Sequence, residues 1–170
     1  MISNSSPLII FGKLNNIEIL LKICASIEIS NSVFEEVVVR GSEIQAKDAL
    51  IIKDFVDNNR ITVKKLSKEF QKKAKKIEEI YTIDIGEAET IALALQLKQK
   101  EIIIDEIAAR EAAKSIGLKP IGSLRVLLLA YKENLISKER IKKIIEEMVN
   151  SKYRFSPQVL IEFWKLFEKV

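Results

Sequence analysis

Four acidic side chains in one stretch of the chain have the chemistry of a metal site. The stretch is Gly86–Glu106, with the sequence GEAETIALALQLKQKEIIIDE. It places Glu87 and Glu89 in the first turn of a predicted helix, and it ends a run of three isoleucines with Asp105 and Glu106. Carboxylate oxygens are the ligands that hard cations such as Mg²⁺ and Mn²⁺ prefer. The stretch therefore predicts that some of these acids meet at one rim of the fold.

The chain contains no histidine and a single cysteine, Cys24. Histidine is the commonest general base and a frequent zinc ligand, so the composition argues against a structural zinc site and against histidine-based catalysis. A lone cysteine forms no internal disulfide, and a reducing cytoplasmic compartment is expected. Catalysis by this chain would therefore rest on carboxylates, hydroxyls or amines.

Asp105 is the strongest single candidate for function. A carboxylate that ends a buried apolar strand is costly unless it is paired, metal-bound or solvated. The alternative is a helix cap, since Asp favours the position just before a helix. Glu106 is secondary, because it would point to the opposite side if the strand continued. The letters IIIDE also resemble a Walker B segment, but the chain lacks the phosphate loop that nucleotide hydrolysis requires.

Two acidic pairs offer a similar choice between function and helix capping. Two residues apart on a helix, Glu87 and Glu89 cannot face the same point, so one is expected to be functional and the other to stabilise the helix N-terminus. Ser30 or Ser32 is predicted to cap the helix of the segment VFEEVV, and if Ser32 is the N-cap, then Ser32 and Glu35 form a capping box. Glu36 is then the acid without a structural explanation.

Alternation of strands and helices predicts an α/β fold with a small parallel sheet that has helices on both faces. Strands are predicted at residues 2–4, 27–29, 61–66, 101–105 and 118–121, with helices between them. Gly41 is predicted to end the helix that carries Glu36. Ligands of such sheets bind beyond the carboxyl ends of the strands, where Asn4 and Asp105 fall.

Composition fits a single domain over residues 1–170, with 48% hydrophobic residues and a net charge of +4. No apolar run approaches the roughly 20 residues that cross a bilayer, and no signal peptide is visible. The closing helix, about residues 157–168, carries three aromatic residues and is expected to dock on the body or on a partner.

A lysine run occupies the middle of the chain. Its members are Lys64, Lys65, Lys68, Lys72, Lys73, Lys75 and Lys76. A solvated helix face is the ordinary interpretation. The functional interpretation is contact with nucleic-acid phosphates, for which Lys72, Lys73 and Lys76 are the candidates.

Four segments in order resemble PIN-domain proteins. They are ISNSSPLI, VFEEVV, GEAETIALAL, and IIIDE-x-x-AR followed by GLKPIGSLRVLL. The resemblance extends to a late YRFSPQVL segment. Within the family, these segments most resemble a prokaryotic branch related to VapC-type toxins. It implies a PIN-like three-layer fold in which a small parallel sheet is flanked by helices and acids gather at the strand ends.

The resemblance also implies a site. Its metal-binding positions fall on Asn4, Glu36, Glu89 and Asp105, and the three acids among them are the implied catalytic residues. Its secondary positions fall on Ser6, Glu87, Glu106 and Arg110. The family usually has Asp where this chain has Asn4. Asn keeps an oxygen ligand but removes one negative charge, so the affinity for a divalent ion should fall.

Family members are typically ribonucleases that depend on Mg²⁺ or Mn²⁺, and some are the toxins of toxin–antitoxin pairs. The resemblance therefore implies a metal-dependent endoribonuclease with RNA as substrate, an antitoxin protein as partner and a homodimer as assembly. Bound metal would polarise the scissile phosphate and lower the pKa of a water molecule without any histidine. The alternative is a PIN-fold module that has lost catalysis and binds RNA or a protein, an interpretation motivated by Asn4 and the lysine run.

Overall fold

Alternating strands and helices make up the part of the chain that the computed structural model describes, residues 1–151, 153 and 155–169. The strands are β1 (Ile2–Ser3), β2 (Ile27–Ser30), β3 (Ile61–Lys64), β4 (Glu101–Ile103) and β5 (Lys119–Ile121). The helices are α1 (Ser5–Lys13), α2 (Ile17–Cys24), α3 (Asn31–Phe34), a π-helical turn (Glu35–Arg40), α4 (Gly41–Glu43), α5 (Lys47–Asp57), α6 (Lys68–Tyr81), α7 (Ile85–Gln96), α8 (Ile107–Ser115), α9 (Ser123–Lys132), α10 (Lys138–Asn150) and α11 (Pro157–Phe167). None of these helices is both long and apolar enough to cross a bilayer.

The five strands form one parallel sheet in the order β3-β2-β1-β4-β5. This arrangement confirms the predicted α/β class. The chain builds the sheet outward from β1 to β3 and then resumes on the other side of β1, so the direction reverses between β1 and β4. Ser3 pairs with Ile103, and the backbone N–H of Asn4 donates to the carbonyl of Ile103 at 2.9 Å. The residues that follow β1 and β4 therefore meet at the reversal point, where α/β sheets bind ligands.

Each face of the sheet buries its own apolar cluster, which gives the fold three layers. On one face Ile27, Ile29 and Ile103 pack with α1, α2, α5, α9, α10 and α11. On the other face Ile2, Ile102 and Ile104 pack with α6, α7 and α8. The alternation of side chains along β4 thus sends neighbouring residues to opposite layers.

The structure corrects two predictions around the segment VFEEVV. Ser30, not Ser32, is the N-cap of α3, and its hydroxyl accepts from the N–H of Val33 at 3.2 Å, so the Ser32–Glu35 capping box is wrong. Gly41 does not end the helix, because the π-helical turn continues through it into α4 with φ −60° and ψ −38°. A Cβ on Gly41 would lie 2.7 Å from the Cβ of Ala49, so the missing side chain permits close packing of α5.

The closing helix α11 packs on the body through its aromatic residues. Phe163 and Phe167 are buried, and the Phe167 ring lies 4.8 Å from that of Tyr131 on α9. Val159, Ile161 and Leu166 on the same helix remain between 41% and 49% exposed. The helix therefore contributes apolar side chains to the body and also presents some to solvent.

Candidate functional site

Asn4 occupies the reversal point of the sheet and is only 4% exposed. Its Nδ2 donates to Oε2 of Glu106 across a long hydrogen bond of 3.3 Å. Its Oδ1 lies 3.5 Å from the hydroxyl of Thr90, which donates more closely to the carbonyl of Gly86 at 2.8 Å. Asn4 thus connects the end of β1 with α7 and with the start of α8.

Glu106 is the acid after β4 that faces Asn4. The hydroxyl of Ser6 donates to its second oxygen, Oε1. Strand alternation explains this placement. Ile2, Ile102 and Ile104 pack in the α7 layer, and continuing the same parity puts Asn4 and Glu106 in that layer too. Both carboxylate oxygens of Glu106 are therefore held by neutral donors from the end of β1 and the start of α1.

Glu36 reaches the same place from the π-helical turn. The hydroxyl of Ser5 donates to Glu36 Oε2 at 2.5 Å. A Cβ on Gly86 would lie 3.7 Å from that oxygen and 3.9 Å from Oδ1 of Asn4. The oxygens of Glu36 and Asn4 therefore flank the backbone of Gly86 at the start of α7. Single π-helical turns within α-helices are frequent at functional sites.

Glu87 completes this group from the first turn of α7. It is buried, and its Oε2 accepts from the N–H of Asp84 at 3.0 Å. Burial raises the pKa of Glu87 to about 7, and the charges of Glu106, Asp84 and Glu36 act in the same direction. We call Asn4, Glu36, Glu87 and Glu106 the switch-point cluster. Within the described ranges, no Lys or Arg forms an ion pair with its carboxylates.

Glu89 has a different set of contacts. It is half-buried, and its Oε2 accepts from the N–H of Ser32 at 3.3 Å in the first turn of α3. A carboxylate at a helix N-terminus stabilises the unpaired N–H groups there. Glu87 therefore forms a capping box with Asp84 at the start of its own helix, and Glu89 contacts the first turn of α3.

Asp105 lies in the layer of α9. Its Oδ1 accepts from the N–H of Ser123 at 2.7 Å, and its Oδ2 accepts from the hydroxyls of Ser123 and Tyr153, both at 2.5 Å. Burial raises the pKa of Asp105, while these three donors act to lower it. Asp105 thus caps α9 rather than α8, whose N-cap position is Glu106.

Arg110 lies between Asp105 and the cavity beside α9. Its Nη1 donates to the carbonyl of Ile104 at 3.0 Å. A Cβ on Gly122 would lie 2.9 Å from Arg110 Nη1 and 3.0 Å from Oδ1 of Asp105. A larger residue than Gly122 would therefore push the guanidinium and the carboxylate away from the start of α9.

The lysine candidates lie on α6, which starts away from the switch-point cluster and leads back to the start of α7. The N–H of Ser67 donates to Gln96 Oε1 at 2.8 Å, so α6 starts beside the end of α7. The acids of the cluster flank the opposite end of α7, which spans about 18 Å. Lys68, Lys72, Lys73 and Lys76 line a shallow groove of about 410 Å³ with Glu69, and Lys73 pairs with Glu69 at 2.9 Å.

The donor chemistry of the cluster fits a hard divalent ion. Three carboxylates and an amide oxygen lie in the same region, and burial, followed by the charges of Glu106, Asp84 and Glu36, raises the pKa of Glu87. The side chains are spaced too widely to bind a metal ion as they stand, because residues 1–151, 153 and 155–169 contain no group of three or more acidic or cysteine side chains close enough to hold one. The residues therefore fit a metal by type, and side-chain movement would have to bring their oxygens together.

Several polar partners of these acids had no signal in the sequence. Ser5, Thr90 and Ser123 are buried hydroxyl residues that bind the acids or neighbouring backbone, and Tyr153 reaches Asp105 across 48 residues of sequence. Alternation along β4 could have assigned Glu106 to the layer of Asn4, but only once the register of β4 against β1 was known.

Comparison with known proteins identifies one family. A family model described as a PIN domain, DUF3368, matches residues 1–169 of the chain. No curated protein matches the chain.

Proposed function

The chain belongs to the PIN-domain family, and on this premise we propose that it is a cytoplasmic, divalent-metal-dependent endoribonuclease. PIN domains are typically nucleases and generally use divalent metal ions. The single observation that carries the proposal is the switch-point cluster, in which carboxylates from three helical segments lie around the amide of Asn4 beyond the carboxyl ends of β1 and β4. Ligands of open α/β sheets bind at this place.

Asn4, Glu36 and Glu106 are the residues that would hold Mg²⁺ or Mn²⁺, with Glu87 beside them. When bound, the metal would polarise a phosphate oxygen and lower the pKa of a coordinated water molecule. Ser5 and Ser6 orient the carboxylates of Glu36 and Glu106 by donating to one oxygen of each. The resemblance implies Glu89 and Asp105 as metal ligands, but in this proposal they position α3 and α9, a role that their contacts with Ser32, Ser123 and Tyr153 support.

Cleavage of single-stranded RNA in Mn²⁺ or Mg²⁺ tests this proposal. We expect Glu106→Gln and Glu36→Gln to lower the cleavage rate at least about 100-fold, since each removes a charge that would face the metal. Glu35→Gln is the matched control, because Glu35 and Glu36 are both exposed but, in the described part of the chain, only Glu36 accepts a hydrogen bond from Ser5. A wild-type chain that cuts no RNA and binds no divalent ion at millimolar concentration would refute the proposal.

A second candidate is a PIN-fold module that binds RNA or a protein without cutting. The observation that favours it is the hydrogen bond from Asn4 to Glu106, because an amide supplies a donor that an aspartate in the same place would lack. The cluster can thereby hold Glu106 without a cation. Asn4→Asp separates the candidates: a strong gain of cleavage supports a weakened catalytic site, whereas unchanged inactivity in metal supports the binding module.

We also propose that the chain is the toxin of a toxin–antitoxin pair. Expression of the wild-type chain in a bacterial host should arrest growth, and the Glu106→Gln variant should not. Rescue by the product of a neighbouring short reading frame would support an antitoxin partner. Light scattering of the purified chain tests the proposed homodimer.

A further inference from the structure

A cavity of about 740 Å³ lies on the opposite side of Asp105 from the switch-point cluster. Its walls come from β5, α9 and α11 and include Leu124, Leu128, Val159 and Phe163. Tyr153 and Phe155 add two aromatic rings whose centroids are 5.1 Å apart. Volumes of about 300–1,000 Å³ with apolar walls and a few polar groups are typical of small-ligand sites. We call this space the α9–α11 cavity.

Two arginines and three acids line the α9–α11 cavity. Arg125 lies in the first turn of α9, and Arg110 Nη1 lies beside Gly122, the N-cap of that helix. Neither guanidinium has an ion pair with a carboxylate in the described part of the chain. Of the acids, Glu101 stands at the start of β4 and Glu162 on α11, while the oxygens of Asp105 accept from Ser123 and Tyr153. The two arginines therefore keep donors for a ligand near the carboxyl ends of the strands.

Arg110 adjoins the switch-point cluster. The N–H of Arg110 donates to the carbonyl of Glu106 at 2.9 Å, so the two residues are one helical turn apart on α8. Ile107 lies between them, lines the α9–α11 cavity and is 68% exposed. An exposed isoleucine at a cavity mouth offers an apolar contact to a ligand that runs from the cluster into the cavity.

We propose that the α9–α11 cavity is a nucleotide subsite, which takes one unstacked base of a single-stranded RNA while Arg110 and Arg125 contact the flanking phosphate. This inference rests on the proposed nuclease function, since it assumes that the RNA also crosses the switch-point cluster. Bases of single strands insert between apolar and aromatic side chains, and arginine binds phosphate with two parallel donors. A duplex cannot supply such a base without unpairing.

Binding of a short oligoadenylate in the presence of EDTA tests the subsite without any catalysis. Val159→Trp would fill the α9–α11 cavity from a partly exposed position, and Arg125→Gln would remove a phosphate contact. We expect each to weaken binding about tenfold, the effect of removing one stacking or charged interaction. Ile161→Trp and Lys132→Gln are matched controls on the same helices, because neither residue lines the cavity, and they should change affinity less than about twofold.

Each outcome decides a defined question. Equal weakening by Val159→Trp and Ile161→Trp, equal affinity for duplex RNA, or no binding by the wild type would overturn the nucleotide subsite. If Val159→Trp converts a wild-type dimer to a monomer in light scattering, the cavity is a contact between copies and the proposal also falls. If the cavity variants lose RNA binding and the wild type shows no metal-dependent cleavage, the subsite is sustained and the nuclease proposal is refuted. If the wild type cleaves RNA and Val159→Trp cleaves it equally well, the nuclease proposal is sustained and the subsite is refuted.

Discussion

Replacing Glu87 with glutamine should stabilise the protein in alkali and leave its stability unchanged in acid. Gln retains an oxygen that can accept from the N–H of Asp84, so the capping contact at the start of α7 survives. The substitution removes a negative charge that burial disfavours most and that Glu106, Asp84 and Glu36 also repel. It therefore measures the cost of a buried charge at this position while the capping contact is kept.

The magnitude follows from the pKa of Glu87, which burial and then neighbouring charges raise from 4.5 to about 7. Between these values the folded protein keeps a proton that the unfolded chain has released. The free energy of unfolding is therefore highest below about pH 4.5 and falls as the pH rises through 7. A tenfold change in proton affinity corresponds to about 1.4 kcal/mol, which gives about 3 kcal/mol for the whole change. Screening by water at the rim reduces the expected effect to about 1–3 kcal/mol.

Urea denaturation of the wild type and Glu87→Gln across this pH range measures the effect. The two free energies of unfolding should coincide below about pH 4.5 and differ by about 1–3 kcal/mol above pH 7, with the variant the more stable. Asp105, whose pKa is also raised, contributes equally to both proteins and cancels in the difference. Glu35→Gln serves as the control. A difference independent of pH, or a variant less stable in alkali, would refute the electrostatic reasoning.

Three further perturbations test other parts of the account. Asn4→Asp replaces the amide donor to Glu106 with an acceptor, so it should lower stability by about 1–3 kcal/mol in EDTA and recover it in Mn²⁺. Thermal melting in both buffers measures this, and equal melting temperatures in the two buffers would contradict it. Tyr153→Phe removes a donor from the buried Asp105 and should cost about 1–3 kcal/mol, whereas Tyr131→Phe, with no hydroxyl hydrogen bond among the described residues, should cost far less. Replacing Lys72, Lys73 and Lys76 with Gln should reduce the slope of log affinity for RNA against log salt concentration by about 0.7 for each phosphate that the protein ceases to neutralise, and an unchanged slope would identify a solvated face.

Sequence patterns were sufficient to predict the architecture, because burial of one face of a helix or strand gives a periodic pattern of apolar residues. The isoleucine-rich strands and the intervening amphipathic helices predict the parallel three-layer fold, which the structure confirms. Asn4 and the acids after β4 could be placed at one edge because parallel strands share their carboxyl ends. The predicted β3 and β4 extend beyond the observed strands, because the buried residues Leu66 and Ile104 continue the apolar pattern past the last strand residues.

The details of the site depend on contacts that local sequence does not encode. Whether Asp105 or Glu106 faces Asn4 is decided by strand parity together with the β1–β4 register, and register is a tertiary property. Asp105 does cap a helix, but α9 follows 18 residues later and only the folded chain brings Ser123 to it. The choice of Ser30 over Ser32 as N-cap likewise depended on where β2 ends.

The most direct test of the central claim compares Glu106→Gln with Asp105→Asn in a single-turnover RNA cleavage assay with Mn²⁺. The two acids are adjacent in sequence but lie in different layers, with Glu106 held by Asn4 and Ser6 and Asp105 held by Ser123 and Tyr153. If the switch-point cluster is the catalytic centre, Glu106→Gln should lose at least about 100-fold in rate. Asp105→Asn should mainly lower stability and retain more activity in the fraction that folds. Full activity of Glu106→Gln beside an inactive, folded Asp105→Asn would contradict the account.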